Sequence, residues 1–398
     1  MQQTISLVSE SESVPDVVDY FATLAWSVIC EPGDAFAGQL ISAFGPARAL
    51  ELEISRTSPH GYLDLFNEVG TDPLEVQKFG KFEKTILDAR ERWLPRMNLK
   101  SVFVACERLA GVGGWFVIEG MQGWPLAFAD LEHHSPRGLW GIGDKESLAE
   151  LGRSVAFVGS RMATTYGESA CQELIQPLAE RGYSIVSGGA YGIDAAAHRA
   201  ALSAAGKTFA LMAGGVDRLY PSGNRELFKT IASNGALLSE MPPGAEPTKW
   251  RFLQRNRLIA TLGQATVVVE ANPRSGAVST ANRARELGRP IAAVPGPINT
   301  PGSDGCHQLI RNGEAELVTC AEDILELIVG GSTLTIEAGS GLGALETRVL
   351  DAIGFSGATL GSIQTLAGLT SSEAQIGLAS LSLMGIIEQD SVGWRRKS

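Results

Sequence analysis

Three arginines and two aromatic rings fall within eight residues at Trp250, Arg251, Phe252, Leu253, Gln254, Arg255, Asn256 and Arg257. Aromatic faces stack on bases while guanidinium groups hold phosphates, so this run suits a single-stranded nucleic acid. The plainer alternative is a basic helix start that only faces solvent. Four other segments offer compatible chemistry. Val158-Gly159-Ser160-Arg161 combines close backbone approach, a hydroxyl and a charged fork for phosphate. Ser187, Gly188, Gly189 and Gly192 precede a helical stretch whose first N–H groups attract anions, although a tight turn alone would also use such glycines. Gly214 to Pro221 contains Arg218, and Glu270 to Ala277 contains Arg274, Ser275 and Gly276.

What is missing narrows the chemistry. Neither G-x-G-x-x-G nor G-x-x-x-x-G-K-[ST] occurs, which disfavours a dinucleotide or ATP site, and no cofactor is expected. Asp194 and Glu270 are acids at element ends, where pairing with arginine is commoner than proton transfer. Cys30, Cys106, Cys171, Cys306 and Cys320 are odd in number and scattered. Free thiols and no metal site follow. His133 and His134 read as a solvated pair, because adjacent side chains rarely face one ligand.

These segments need a scaffold that gathers them. From Ser154 onward, short β-rich runs alternate with turns and stretches of helical period. Strands are expected at Ser154–Val158, Tyr183–Val186, Thr208–Met212, Ala236–Ser239, Ala265–Glu270 and Ile291–Val294. Helices are expected at Gly167–Arg181, Gly192–Ala205, Arg225–Ser233, Arg257–Leu262 and Thr280–Leu287. Such alternation gives an α/β fold, a Rossmann-like parallel sheet covered on both faces, with the glycine turns at its carboxyl edge. The reading divides the chain into a helical domain (1–110), an irregular connector packed by Trp124 and Trp140 (111–150), the core (151–328), a Gly/Ser/Thr linker (329–343) and a small domain (344–398). That last part reads as helix, helix, helix and a two-stranded wing around Asp390, the order of a winged helix.

The net charge of −11 argues against a nucleic-acid partner until its distribution is considered. Residues 152–323 hold 17 Lys and Arg against 15 Asp and Glu, which leaves −13 for everything outside them. The core is therefore the anion-binding candidate. The third helix of the C-terminal domain, Ser371 to Met384, has no Lys or Arg, and residues 331–398 carry 4 basic against 6 acidic residues. A major-groove reader needs cations, so a protein-contact or regulatory module is expected there. Apolar runs are too short to cross a bilayer and Met1 to Tyr20 lacks a signal-peptide pattern, so a cytoplasmic protein with no membrane partner is expected.

In order and spacing, Val158 to Arg161, Ser187 to Asp194, Asp217-Arg218 with Tyr220-Pro221, Arg255-Asn256-Arg257, Glu270 with Arg274-Ser275-Gly276, Val294-Pro295-Gly296 and Leu309-Ile310-Arg311 resemble the successive signatures of the DNA-processing protein A (Smf) family. The resemblance implies a non-enzymatic homodimer, paired through its core, with a SAM-like helical domain in front. It implies a protein that binds and protects single-stranded DNA and loads the RecA recombinase during natural transformation. By the same resemblance Ser160, Arg161, Gly188, Gly189, Gly192, Phe252, Arg255, Arg257, Ser275 and Gly276 line the DNA path. Gly189, Tyr191 and Cys306-His307 depart from the family's usual leucine, arginine and threonine-asparagine. A rival reading is a LOG-type phosphoribohydrolase acting on nucleoside monophosphates, but its P-G-G-x-G-T-x-x-E signature has no counterpart here. A third is a nucleotide sensor without turnover.

Overall fold

The apolar runs of the middle of the chain pair side by side into one sheet. The computed structural model describes residues 16–70, 79–332, 344–353, 357–389 and 393–397. Its strands are β1 (Trp115–Val117), β2 (Leu139–Gly143), β3 (Ser154–Val158), β4 (Ser184–Ser187), β5 (Thr208–Met212), β6 (Ala236–Ser239), β7 (Thr266–Val268), β8 (Ile291–Ala293) and β9 (Glu316–Leu317). They form a nine-stranded sheet in the order β1-β2-β6-β5-β4-β3-β7-β8-β9. From β6 to β9 every pairing is parallel, with Val155 opposite Ile185 and Phe157 opposite Val267. All residues of β3 to β6 are buried, which is why they read as unbroken apolar runs without alternation.

Helices α7 (Thr165–Glu180), α8 (Ile193–Ser203), α9 (Arg225–Asn234), α10 (Lys249–Leu262), α11 (Gly276–Glu286), α12 (Asp304–Arg311) and α13 (Ala321–Ser332) cover the sheet; they follow α1 (Val17–Ile29), α2 (Ala35–Phe44), α3 (Pro46–Ile54), α4 (Pro59–Glu68), α5 (Phe79–Trp93) and α6 (Leu99–Gly111). From β3 the chain winds outward through β4, β5 and β6, then returns to the other side of β3 as β7. A crevice must open where the two directions diverge, at the carboxyl ends of β3 and β7. The returning segment is α10, so the arginine-rich run is delivered to that crevice by topology.

The structure departs from expectation in four places. The connector is not irregular: β1 and β2 extend the sheet, pairing antiparallel with each other and with β6. Trp124 and Trp140 are buried, Trp140 completely, and Trp115 is half-buried. The first helices are not a separate folding unit. Their core, built on Tyr20, Trp26 and Trp93, runs into Phe116 and Trp140 of β1 and β2, and Tyr20 donates a hydrogen bond to the Phe116 carbonyl at 3.0 Å. Residues up to 331 accordingly form one compact unit. Helix α10 starts two turns before Arg257, at Lys249, because the Thr248 side chain caps the N–H of Arg251. The expected linker begins as helix, α13 running to Ser332, and 333–343 lies outside the described residues.

The second unit, taken by itself, contains α14 (Ala344–Ile353), α15 (Leu360–Ala367), α16 (Ser371–Leu383) and an antiparallel pair, β10 (Ile387–Gln389) with β11 (Trp394–Arg396). Val349, Ile363, Leu378, Leu381 and Ile387 make its core. A reciprocal Thr370–Glu373 capping box starts α16. The element order is that expected of a winged helix, and Asp390 lies outside the described residues.

Candidate nucleic-acid interface

A cleft of about 650 Å³ opens at the crevice between β3 and β7. Its floor is the loop after β3. The N–H of Ser160 donates to the Glu270 carbonyl at 2.7 Å, and the Ser160 carbonyl accepts from Ile193 N–H at 3.0 Å. The loop is thereby tied to β7 and to the start of α8. Gly192, at φ +75°, passes so close that a Cβ would lie 2.2 Å from the Ser160 oxygen. Glu270 is buried and accepts from the Thr164 N–H at 3.0 Å and from the Thr164 hydroxyl, which anchors the loop to the N-terminus of α7. Both of its carboxylate oxygens are engaged in holding the loop.

The cleft's front wall is one face of α10, with Lys249, Phe252, Leu253, Arg255, Asn256 and Ile259; its far wall is Asn272, Ser275, Gly276, Ala277 and Thr280 at the start of α11. Ser275 caps α11, and Asn256 donates to the Gly276 carbonyl at 3.3 Å, joining the two walls. Two guanidinium groups lie over the Phe252 ring, Arg161 at 5.5 Å and Arg255 at 5.7 Å from its centroid, with the Tyr220 ring 5.9 Å away. Cation–π contacts hold both charges at the mouth of the cleft. Among the described residues neither arginine has a carboxylate within 4 Å, and Arg161 is exposed.

Arg255 is buried, donating to the carbonyls of Gly188, at 2.8 Å, and Leu211. Burial lowers its pKa to about 10, with Asp194 opposing and Arg161 adding to the fall. It stays cationic at neutral pH. Asp194 lies beneath it, its carboxyl pushed upward by burial against the pull of Arg255, and it accepts from Ala190 N–H at 3.3 Å. The carboxyl thus caps a turn beside a buried arginine.

The sixteen residues singled out from sequence divide in space. Gly159, Ser160, Arg161, Phe252, Arg255, Asn256, Ser275 and Gly276 line the cleft together. Ser160 does not point a free hydroxyl at a ligand, because its Oγ bridges to the N–H and carbonyl of Met162 at 3.1 Å. Ser187, Gly188, Gly189 and Gly192 lie behind it as support. Ser187 donates to the Phe157 carbonyl at 2.6 Å, and a Cβ on Gly188 would sit 2.2 Å from the Arg255 guanidinium. Arg274 is exposed outside the lining. Arg218, Arg251 and Arg257 are turned elsewhere: Arg218 pairs with Glu246 at 2.8 Å, Arg251 with Glu31 at 2.7 Å and Arg257 with Glu240.

Sequence reasoning overlooked Lys249, Met162 and Asn272 on the cleft and the part played by Tyr220. Lys249 was readable: once Thr248 is taken as a cap, Lys249, Phe252 and Asn256 share one helical face. Tyr220 had no such signal, since only folding sets its ring against Phe252.

Comparison with known proteins adds an independent line. A profile of the family described as DNA recombination-mediator protein A matches residues 115–329. A DNA processing protein DprA of Mycobacterium tuberculosis is 44% identical over 306 residues, which cover 73% of this chain and 78% of that protein. The DprA of Streptococcus pneumoniae strain R6 is 47% identical over 171 residues, 43% of this chain and 60% of that one. The X-ray structure of DNA processing protein A from Streptococcus pneumoniae matches with a TM-score of 0.58 at 30% identity, covering 78% of this chain and 98% of that chain.

Proposed function

The chain belongs to the DNA recombination-mediator protein A family, and from that premise we propose that it binds single-stranded DNA in the cleft between β3 and β7, protects it, and loads a RecA recombinase onto it during natural transformation, acting as a cytoplasmic homodimer paired through the core. The observation that carries this reading is the Phe252 ring with Arg161 and Arg255 over it, two cations that, among the described residues, have no carboxylate within 4 Å. A ring for a base and two guanidinium groups near it for the backbone make a sequence-tolerant single-strand site. Glu270 and Asp194, the acids nearest the cleft, are bound to the protein's own backbone or hydroxyls, which supports binding without turnover. No helix among the described residues is long and apolar enough to cross a membrane. The C-terminal unit, whose α16 carries no cation, serves in this proposal as a protein-contact module.

The test is mass-action stabilisation. An oligo-dT of about 20 nucleotides should raise the melting temperature of the full chain, and AMP should not. Stabilisation by AMP with no response to oligo-dT would replace this reading with a nucleotide sensor or hydrolase.

A further inference from the structure

Resting on that single-strand reading, we propose that the opposite face of α10 carries a second subsite, a pocket that takes one nucleobase of a strand leaving the cleft. The pocket holds about 530 Å³ and is lined by Trp250, Gln254 and Arg257 of α10. Trp250 is 56% exposed, whereas four of the other six tryptophans are buried and Trp115 and Trp394 are half-buried. An uncovered ring of that size at a pocket's rim is a stacking surface.

On the same lining, Arg257 is 5% exposed, with one nitrogen on Glu240 and, among the described residues, no hydrogen-bond partner for Nε or Nη1. Buried donors without acceptors are costly, and a ligand carbonyl or ring nitrogen would satisfy them. Of the carboxylates on the lining, Asp130 pairs with Arg289 and Glu286 with Arg283, each at 2.7 Å, while Glu132 is exposed and, among the described residues, has no ion-pair partner. The pocket therefore has no surplus of positive charge with which to hold a phosphate. A flat, neutral, hydrogen-bonding ring fits it, and a base is that ring.

The two sites are neighbours on one helix. Lys249 and Leu253 line the cleft, while Trp250 and Gln254, each the next residue along, line the pocket. A helix is about 10 Å across, a distance that about three stacked nucleotides span at roughly 3.4 Å each. A strand leaving Phe252 over the exposed start of α10 reaches Trp250 without a detour.

The experiment is fluorescence anisotropy on the full chain with oligo-dT of 6 and 20 nucleotides, comparing wild type, W250A and W250F. W250A should bind the 20-mer about tenfold more weakly and the 6-mer as wild type does, with its melting temperature unchanged; W250F should recover most of the loss. Equal affinity of W250A and wild type for the 20-mer, or an equal loss at both lengths, overturns the proposal. If R161A weakens both lengths while W250A weakens neither, the cleft stands and the pocket falls. If wild type binds neither oligonucleotide, both fall.

Discussion

The two faces of α10 use the same residue type for opposite ends. On the cleft face, Arg255 and Arg161 both lie over the Phe252 ring and, among the described residues, neither has a carboxylate within 4 Å, Asp194 acting on both from further away. On the other side, Arg251 and Arg257 are locked to Glu31 and Glu240, and Arg218, further off, to Glu246. Sequence presents Arg251, Arg255 and Arg257 as interchangeable members of one basic run. The contrast teaches that a cation serves anion binding only where the fold withholds its counter-charge, and that the paired arginines fasten the crossover helix to its surroundings.

Breaking the paired side should show first in stability. Arg257→Ala leaves Glu240 largely buried without its partner, a change that costs about 3–5 kcal/mol; urea denaturation measures it, and removal of both charges in Arg257→Leu/Glu240→Leu should restore most of the loss. Arg255→Ala strands the carbonyls of Gly188 and Leu211, costing about 2 kcal/mol of stability, and it abolishes tight oligo-dT binding as well. An Arg255→Ala protein of wild-type stability would mean that this arginine is not the support the structure describes. Phe252→Ala should leave melting nearly unchanged and weaken oligo-dT binding by about 1–3 kcal/mol, as read by anisotropy.

A smaller effect sharpens the electrostatic side of the contrast. Asp194 has its native pKa raised by burial, partly offset by Arg255. Its protonated form is thus favoured in the folded state, a contribution present at acid pH and lost as pH rises through the native pKa. For the cleft, protonation removes a negative charge next to Arg255 and Arg161. Oligo-dT affinity should therefore rise modestly, about twofold, as pH falls through that range, and Asp194→Asn should give a flat profile. A profile that slopes equally in both proteins would assign the effect elsewhere.

Much of the architecture was legible because β3 to β6 are buried on both faces and announce themselves as apolar runs between glycine turns. The first two helices, Val17–Ile29 and Ala35–Phe44, were readable from their apolar period and the aspartates that cap them. The connector was not, because β1 has three residues and β2 contains two glycines, so neither shows a strand pattern; β2 exists by pairing to β6 and β1 by pairing to β2. In the site, glycines and Phe252 could be placed at the sheet's carboxyl edge by topology alone. The partners of Arg218, Arg251 and Arg257 could not, since Glu31 lies 220 residues from Arg251 and only tertiary packing brings them together.

The central claim, that Arg161 and Arg255 beside Phe252, neither held in a salt bridge among the described residues, grip a DNA strand, is tested most directly by the salt dependence of oligo-dT binding for Arg161→Ala beside Arg251→Ala. Arg161→Ala should bind about tenfold more weakly at moderate salt, with a log–log slope shallower by about 0.7, and Arg251→Ala should keep the wild-type slope. Equal slopes for wild type and Arg161→Ala, or a loss confined to Arg251→Ala, would contradict the account.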